Sequence, residues 1–216
     1  MNHLMLVGIQ WSGKGTQARK ILEAYPEYVL FETGAELRSI ATMNTPLGKD
    51  IKKTLEAGIL VKTEQIKDIL IQFLASHQWH PILFDSVIRS KEQNDILSPL
   101  IGNFSVIFLE LEEEKAIARL TGRRVDPVTN EVFPSDFEGK TNPKTGNALI
   151  TRSDDTEASI RNRISWSIRD TLPLLGIWRQ SGHTVYTIDA SESVETVFRE
   201  ITNVLSKIRS SENSHG

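Results

Sequence analysis

Residues 8–17 read Gly-Ile-Gln-Trp-Ser-Gly-Lys-Gly-Thr-Gln (GIQWSGKGTQ), and their flanks decide how the stretch is understood. Before it, Leu4 to Ile9 is a short apolar run with the length of a buried strand. After it, Ala18, Ile21, Leu22 and Tyr25 recur at i, i+3, i+4 and i+7, one face of a helix that begins near Lys14. A glycine, four residues, a glycine and a lysine between strand and helix form the setting of a phosphate-binding loop. Its backbone N–H groups and the helix N-terminus would face an anion, with Lys14 reaching the outer phosphates. The strict pattern has Ser or Thr directly after the lysine. Here Gly15 intervenes and the hydroxyl arrives at Thr16, while a bulky Trp11 stands where small residues are common.

Working outward, four further apolar runs read as strands: residues 28–32 (YVLFE), 81–85 (PILFD), 104–111 (FSVIFLEL) and 184–189 (TVYTID). Helical patterns lie between them. They cover TGAELRSIATM from Thr33, Pro46 to Gly58, and a stretch from Thr63 with Ile66, Ile69, Leu70, Phe73 and Leu74 on one face. Others run from Ser90, over 112–122, over 155–180 and over 192–208. Strands alternating with helices predict a parallel sheet covered on both faces. Residues 122–155 break the pattern with DPVTNE, PSDFEG and NPKTGN, all turn signals, and predict a small lobe of hairpins. The expected fold is α/β, a doubly wound five-stranded parallel sheet with a helical insertion after the second strand and a hairpin insertion near 122. The expected division is a core of 1–31, 62–121 and 156–208, a helical lobe of 32–61, a hairpin lobe of 122–155 and a flexible tail of 209–216.

Composition narrows the function. With 216 residues and 39% hydrophobic content the chain can bury one substantial core. A formal charge of −3 and no long basic run argue against nucleic acid as partner. The absence of cysteine excludes disulfides and thiolate metal sites. No apolar run reaches the roughly 18 residues of a membrane helix, and the N-terminus lacks the charged flank of a signal peptide. The expectation is a monomeric cytoplasmic protein with small-molecule partners.

Two groups of residues could do chemistry beside the loop. Asp85 ends the ILFD run, and an acid at the carboxyl end of a parallel strand can hold the water shell of Mg²⁺. It could equally cap the helix that follows. Arg38, Arg89, Arg119, Arg123, Arg152 and Arg163 sit near strand–helix junctions or helix ends. Any one of them could be a solvated surface side chain. As a set they suit phosphate oxygens, because the guanidinium fork matches that geometry.

The segments GIQWSGKGTQ, TGAELR, LEAGILV, DSVIRSKEQ, GRRVD and TRSDDTEASIRNRI resemble adenylate kinase in order and spacing, over about residues 4–205. Glycine-lysine-glycine-threonine is that family's own form of the loop. The resemblance implies transfer of the γ-phosphoryl group of Mg-ATP to AMP, giving two ADP, by a sheet core with an AMP-binding lobe and a mobile lid. It assigns Trp11, Ser12, Gly13, Lys14, Gly15 and Thr16 to the ATP phosphates. Arg119, Arg123, Val132, Phe133 and the backbone near Glu192 fall to the rest of ATP. Thr33, Arg38, Ile59, Leu60, Val61, Ser86, Arg89 and Gln93 fall to AMP, with Arg152 and Arg163 bridging the two nucleotides. Lys14, Arg89, Arg123, Arg152 and Arg163 are the implied catalytic set, and Asp85 holds Mg²⁺ through water. Asp154 and Asp155 match acids linked to lid closure.

The sequence departs from the family's pattern at several points. Gln10 and Trp11 replace a proline and a glycine of the loop, and Trp11 is expected at its outer edge. Ser86 replaces a glycine and Ala35 an aspartate. The lid has no Cys or His, so no zinc is expected, and Asp126, Thr129 and Thr145 are candidates for a polar network instead. Thr33 with Glu36, and Ser90 with Gln93, also fit helix capping boxes. The alternatives are a kinase for another nucleoside monophosphate such as UMP or CMP, and a nucleotide-binding module without catalysis.

Overall fold

The computed structural model describes residues 2–120, 123–133, 137–151 and 156–213. Strands β1 (His3–Val7), β2 (Val29–Glu32), β3 (Ile82–Asp85), β4 (Phe104–Glu110) and β7 (Val185–Asp189) form one all-parallel sheet in the order β2-β3-β1-β4-β7. The central strands are continuously apolar because both faces are covered. Alternation along each strand divides the core in two. Met5, Val7, Ile82, Phe84, Phe104, Val106 and Phe108 point to one side. They meet α2 (Thr33–Ala41), α3 (Pro46–Glu56), α4 (Thr63–Ser76), α5 (Lys91–Ile101) and α8 (Leu174–Gln180) through Leu37, Ile51, Leu70, Leu97 and Trp178. Leu4, Leu6, Leu83, Ile107 and Leu109 point to the other side. There they meet α1 (Lys14–Ala24), α6 (Glu113–Leu120) and α9 (Val194–Asn213) through Ile21, Ala116 and Ile201.

The connections run in opposite senses on either side of the boundary between β3 and β1: the one leaving β1 goes toward β2, and the one leaving β3 goes toward β4. In a sheet of this kind the crevice for ligands opens at the carboxyl ends of those strands. The quoted loop follows β1 and Asp85 ends β3, so both stand at that crevice.

The hairpin insertion is built from β5 (Arg124–Val125) and β6 (Val132–Phe133), antiparallel, extended by bridges from Val125 to Ile150 and from Thr141 to Ala148. Two expectations need correction. The long helix over 155–180 is divided: α7 (Glu157–Trp166) widens into a π turn over Ser167–Thr171 before α8. Pro173 supplies the reason, since it has no N–H to continue the ladder and its ring crowds the preceding turn. The last helix also runs further than expected, α9 continuing through 209–213 to Asn213.

Candidate functional site

A cleft of about 800 Å³ lies along the carboxyl edge of the sheet. Its floor is the loop after β1. Gly8 packs against β4 so tightly that a Cβ there would lie 2.4 Å from Ser12 Oγ and 2.6 Å from the Leu109 carbonyl. The chain then turns through Trp11, at φ 73°, and Gly13, at φ 86°, into α1. The first N–H groups of α1 accordingly face the cleft. Lys14 curls over this loop, its ammonium donating to the Gly8 and Ile9 carbonyls, each at 2.9 Å. Burial pushes the Lys14 ammonium down to about 8 despite the opposing pull of Asp85, with Arg89 and Arg123 adding to the fall.

One flank of the cleft is formed by the ends of β2 and β3 with the helical insertion. Arg38 pairs with Glu32 at 3.1 Å across the first turn of α2. Arg89 donates from Nε to the Ser86 carbonyl at 2.7 Å, and its guanidinium lies 5.6 Å from the Trp166 ring. Burial lowers Arg89 to about 10, again against the pull of Asp85, so it stays cationic at neutral pH. Helix α7 docks on the end of the insertion: Arg163 donates to the Leu55 carbonyl, Asn162 to Ala57 and the Trp166 indole to Gly58, at 3.1, 3.1 and 2.9 Å. Gly58, at φ 66°, allows the approach, because a Cβ there would lie 2.4 Å from the Ser159 carbonyl. On the opposite flank Arg119 donates to the Ser191 carbonyl at 3.2 Å, beside Glu192, and the Arg123 guanidinium lies 3.5 Å from the centre of the Trp11 ring.

The structure brings most of the expected residues to this cleft. Trp11 to Thr16, Thr33, Arg38, Ile59, Leu60, Val61, Asp85, Arg89, Gln93, Arg119, Arg123, Val132, Arg163 and Glu192 all line it. Ser86 and Phe133 do not line it. Ser86 holds a left-handed backbone (φ 55°) of the kind glycine adopts, and its hydroxyl turns to the Leu6 carbonyl at 3.4 Å. Phe133 packs within the hairpin against Phe137, ring centres 4.8 Å apart. Arg152, Asp154 and Asp155 lie outside the described residues. Gln93 is almost wholly buried and already engaged, its Oε1 accepting from Arg89 N–H at 2.8 Å while the Ser90 hydroxyl accepts from its own N–H. Thr33 is the first residue of α2 and makes no cap, so the capping box does not form there.

Sequence reasoning missed Gln17, Arg19 and Trp166, which also line the cleft. Gln17 donates to the Val194 carbonyl at 3.0 Å, and Arg19 reaches the Asn130 carbonyl of the hairpin insertion. Gln17 was within reach of the loop motif. Trp166 carries no local signal, since its spacing on α7 reads as ordinary core.

Among the described residues four buried side-chain polar atoms have no partner: Trp11 Nε1, Ser12 Oγ, Gln17 Oε1 and Thr33 Oγ1. All four residues line this cleft. Unpaired buried polar atoms cost stability, so their concentration here points to a polar ligand. The cationic groups around them point to an anionic one. Asp85 is the carboxylate whose charge acts on both Lys14 and Arg89, and no cluster of three metal-ligating side chains occurs among the described residues. That donor set fits Mg²⁺ carried in by phosphates and keeping most of its waters.

The hairpin segment 124–151 has its own polar centre. Asp126 accepts from Thr145 Oγ1 at 2.7 Å, Asn142 Nδ2 at 2.7 Å, Asn147 Nδ2 at 3.1 Å, and the N–H groups of Val128 and Thr129. Enclosure opposes its charge, yet these donors hold the Asp126 carboxyl well below the usual carboxylate range. Thr129 contributes its backbone N–H to Asp126, while its hydroxyl accepts from Glu131 N–H.

Sheet, loop and cationic cleft together define a P-loop nucleotide phosphotransferase. The family model for adenylate kinase matches residues 6–183. The chain is 32% identical to an adenylate kinase of Oceanobacillus iheyensis, over 95% of this chain and 99% of that protein. It is also 32% identical to one of Chloroherpeton thalassium, over 94% and 97%, and 29% identical to one of Exiguobacterium sibiricum, over 94% and 98%. The chain belongs to the adenylate kinase family.

Proposed function

We propose that the chain catalyses reversible phosphoryl transfer from Mg-ATP to AMP, giving two ADP. The observation that carries this reading is a single cleft with a phosphate loop as its floor, the helical insertion on one flank and arginines reaching in from both. The loop and Lys14 would hold the ATP phosphates, with Arg119 and the backbone at Glu192 toward the base. Thr33, Arg38 and the Ile59–Val61 segment would hold AMP. Arg89, Arg123, Arg163 and Arg152 would neutralise the phosphoryl group in transit. Such a reaction asks little covalent work of a protein and much alignment and charge compensation. Lys14 would exchange its two carbonyl partners for phosphate oxygens, whose negative charge favours the ammonium. Asp85 would orient the water shell of Mg²⁺, whose part is to draw charge from the phosphate oxygens.

Residues 32–61 then serve as the AMP-binding lobe and 122–155 as the lid, which would exclude water as a competing acceptor. The Asp126 network supports a lid held together without zinc. The same reading takes ATP and AMP as partners, not nucleic acid or a membrane, and a monomer in the cytoplasm. No helix among the described residues is long and apolar enough to cross a membrane. A coupled assay across AMP, GMP, CMP and UMP tests the acceptor: AMP is expected to be used best, and a preference for CMP or UMP overturns the assignment.

A further inference from the structure

Trp11 is the residue in the loop for which neither fold nor phosphate binding accounts. It holds a left-handed backbone, φ 73°, which strains a bulky side chain and leaves glycine unstrained. Its indole N–H is buried with no partner, a second cost. One set of contacts fixes the ring: it packs on the apolar cluster that includes Ile9 and Leu109. The other is the Arg123 guanidinium, 3.5 Å from the ring centre, against 4.6 Å or more for the other cation–ring pairs among the described residues. At that distance the cation rests directly on the ring, where the attraction is strongest.

We propose that Trp11 is a positioning residue for the donor nucleotide: a rigid platform that pre-orients Arg123 over the phosphate loop. The proposal rests on the phosphotransferase reading above. Stacking uses the face of a guanidinium and leaves its N–H groups in plane for phosphate oxygens, so the platform aims Arg123 without competing for its donors. The ring is itself part of the loop, so platform and phosphate site move as one body. Arg123 directly precedes β5, so the same stack ties the hairpin segment to the loop. A glycine at position 11 would relieve the backbone and lose all of this.

The test is a double-substitution cycle. Trp11→Leu, Trp11→Phe and Trp11→Gly are compared with wild type, and Trp11→Leu is repeated in an Arg123→Gln background. The readouts are steady-state kinetics and equilibrium binding of Mg-β,γ-imido-ATP, which needs no turnover. Trp11→Leu and Trp11→Gly are expected to lower kcat/KM for ATP, and analogue affinity, about fivefold to thirtyfold, the range of a partly desolvated cation–π contact. KM for AMP should stay within about twofold. Trp11→Phe keeps an aromatic face and should recover most of the loss. In the Arg123→Gln background Trp11→Leu should cost less than about twofold in analogue affinity. Wild-type affinity in Trp11→Gly overturns the proposal, as does an undiminished Trp11→Leu loss when Arg123 is glutamine. A wild-type protein without AMP-dependent turnover would sink the functional reading while leaving the binding cycle able to judge Trp11.

Discussion

Gly58→Ala is expected to separate conformational strain from a steric clash at the seam between the helical insertion and α7. Gly58 holds φ 66°, and a Cβ would lie 2.4, 2.7 and 2.9 Å from the carbonyl oxygen, Cα and carbonyl carbon of Ser159. These are backbone atoms of α7, so no rotamer change relieves the overlap. A left-handed alanine costs about 1–2 kcal/mol, and forced overpacking adds up to about 3 kcal/mol. The insertion can instead undock, forfeiting the hydrogen bonds from Asn162, Arg163 and Trp166. At about 1 kcal/mol each, that escape also costs about 3 kcal/mol. The total is about 4–5 kcal/mol by either route. Gly182→Ala is the control. Gly182 has φ 88° with nothing within 4 Å of a Cβ, so only the strain of about 1–2 kcal/mol applies. Urea unfolding of both variants should differ by about 3 kcal/mol. Undocking would also displace Ile59 to Val61, so KM for AMP should rise in Gly58→Ala and not in Gly182→Ala. Equal destabilisation of the two variants, within about 0.5 kcal/mol, would refute the reasoning.

Other consequences can be measured separately. Because Lys14 is held down to about 8, the free protein loses that cation as pH rises through 8, and kcat/KM for ATP should fall while kcat persists to higher pH. The stability sign is opposite: below 8 the buried ammonium costs folding energy, and between 8 and its ordinary 10.5 that cost is relieved, so a flat kcat/KM from pH 7 to 10 contradicts the assignment. Thr33→Val removes a buried hydroxyl without a partner. It should stabilise the ligand-free protein by about 1 kcal/mol while raising KM for AMP about fivefold to tenfold, and an unchanged KM would remove Thr33 from the AMP site. Asp126→Ala takes the shared acceptor from Thr145, Asn142 and Asn147. Hydrogen exchange should accelerate across 124–151 and leave the sheet protected; uniform acceleration would mean that the hairpins are not a separate unit. In wild type that protection, present above the ordinary carboxylate range, should be lost as pH falls below it.

The parallel sheet was legible because its signals are local. Period, strand length and the turn residues around 122–155 report directly on burial and backbone conformation. The loop was legible for the same reason, since consecutive backbone N–H groups make the anion site. The break in the helix after α7 was legible only in part: Pro173 marks the position, but the widening into a π turn depends on what α7 must reach. Two residues carried over by motif position, Ser86 and Phe133, do not line the cleft; they contact the Leu6 carbonyl and the Phe137 ring. A position in a motif specifies where a Cα lies, and side-chain direction is set by neighbours that are distant in sequence.

The sequence by itself determined the architecture and the loop between β1 and α1, because hydrophobic period and glycine spacing are properties of adjacent residues. Only the tertiary structure decided that Arg163 and Trp166 clasp the carbonyls around Gly58, 108 residues away. It alone decided that Arg123 lies on Trp11, and that Trp11, Ser12, Gln17 and Thr33, each with a buried unpaired polar atom, line one cleft. Those relations join segments from different strand ends, and no local propensity encodes them. They exist because the parallel sheet gathers the carboxyl ends of its strands along one edge.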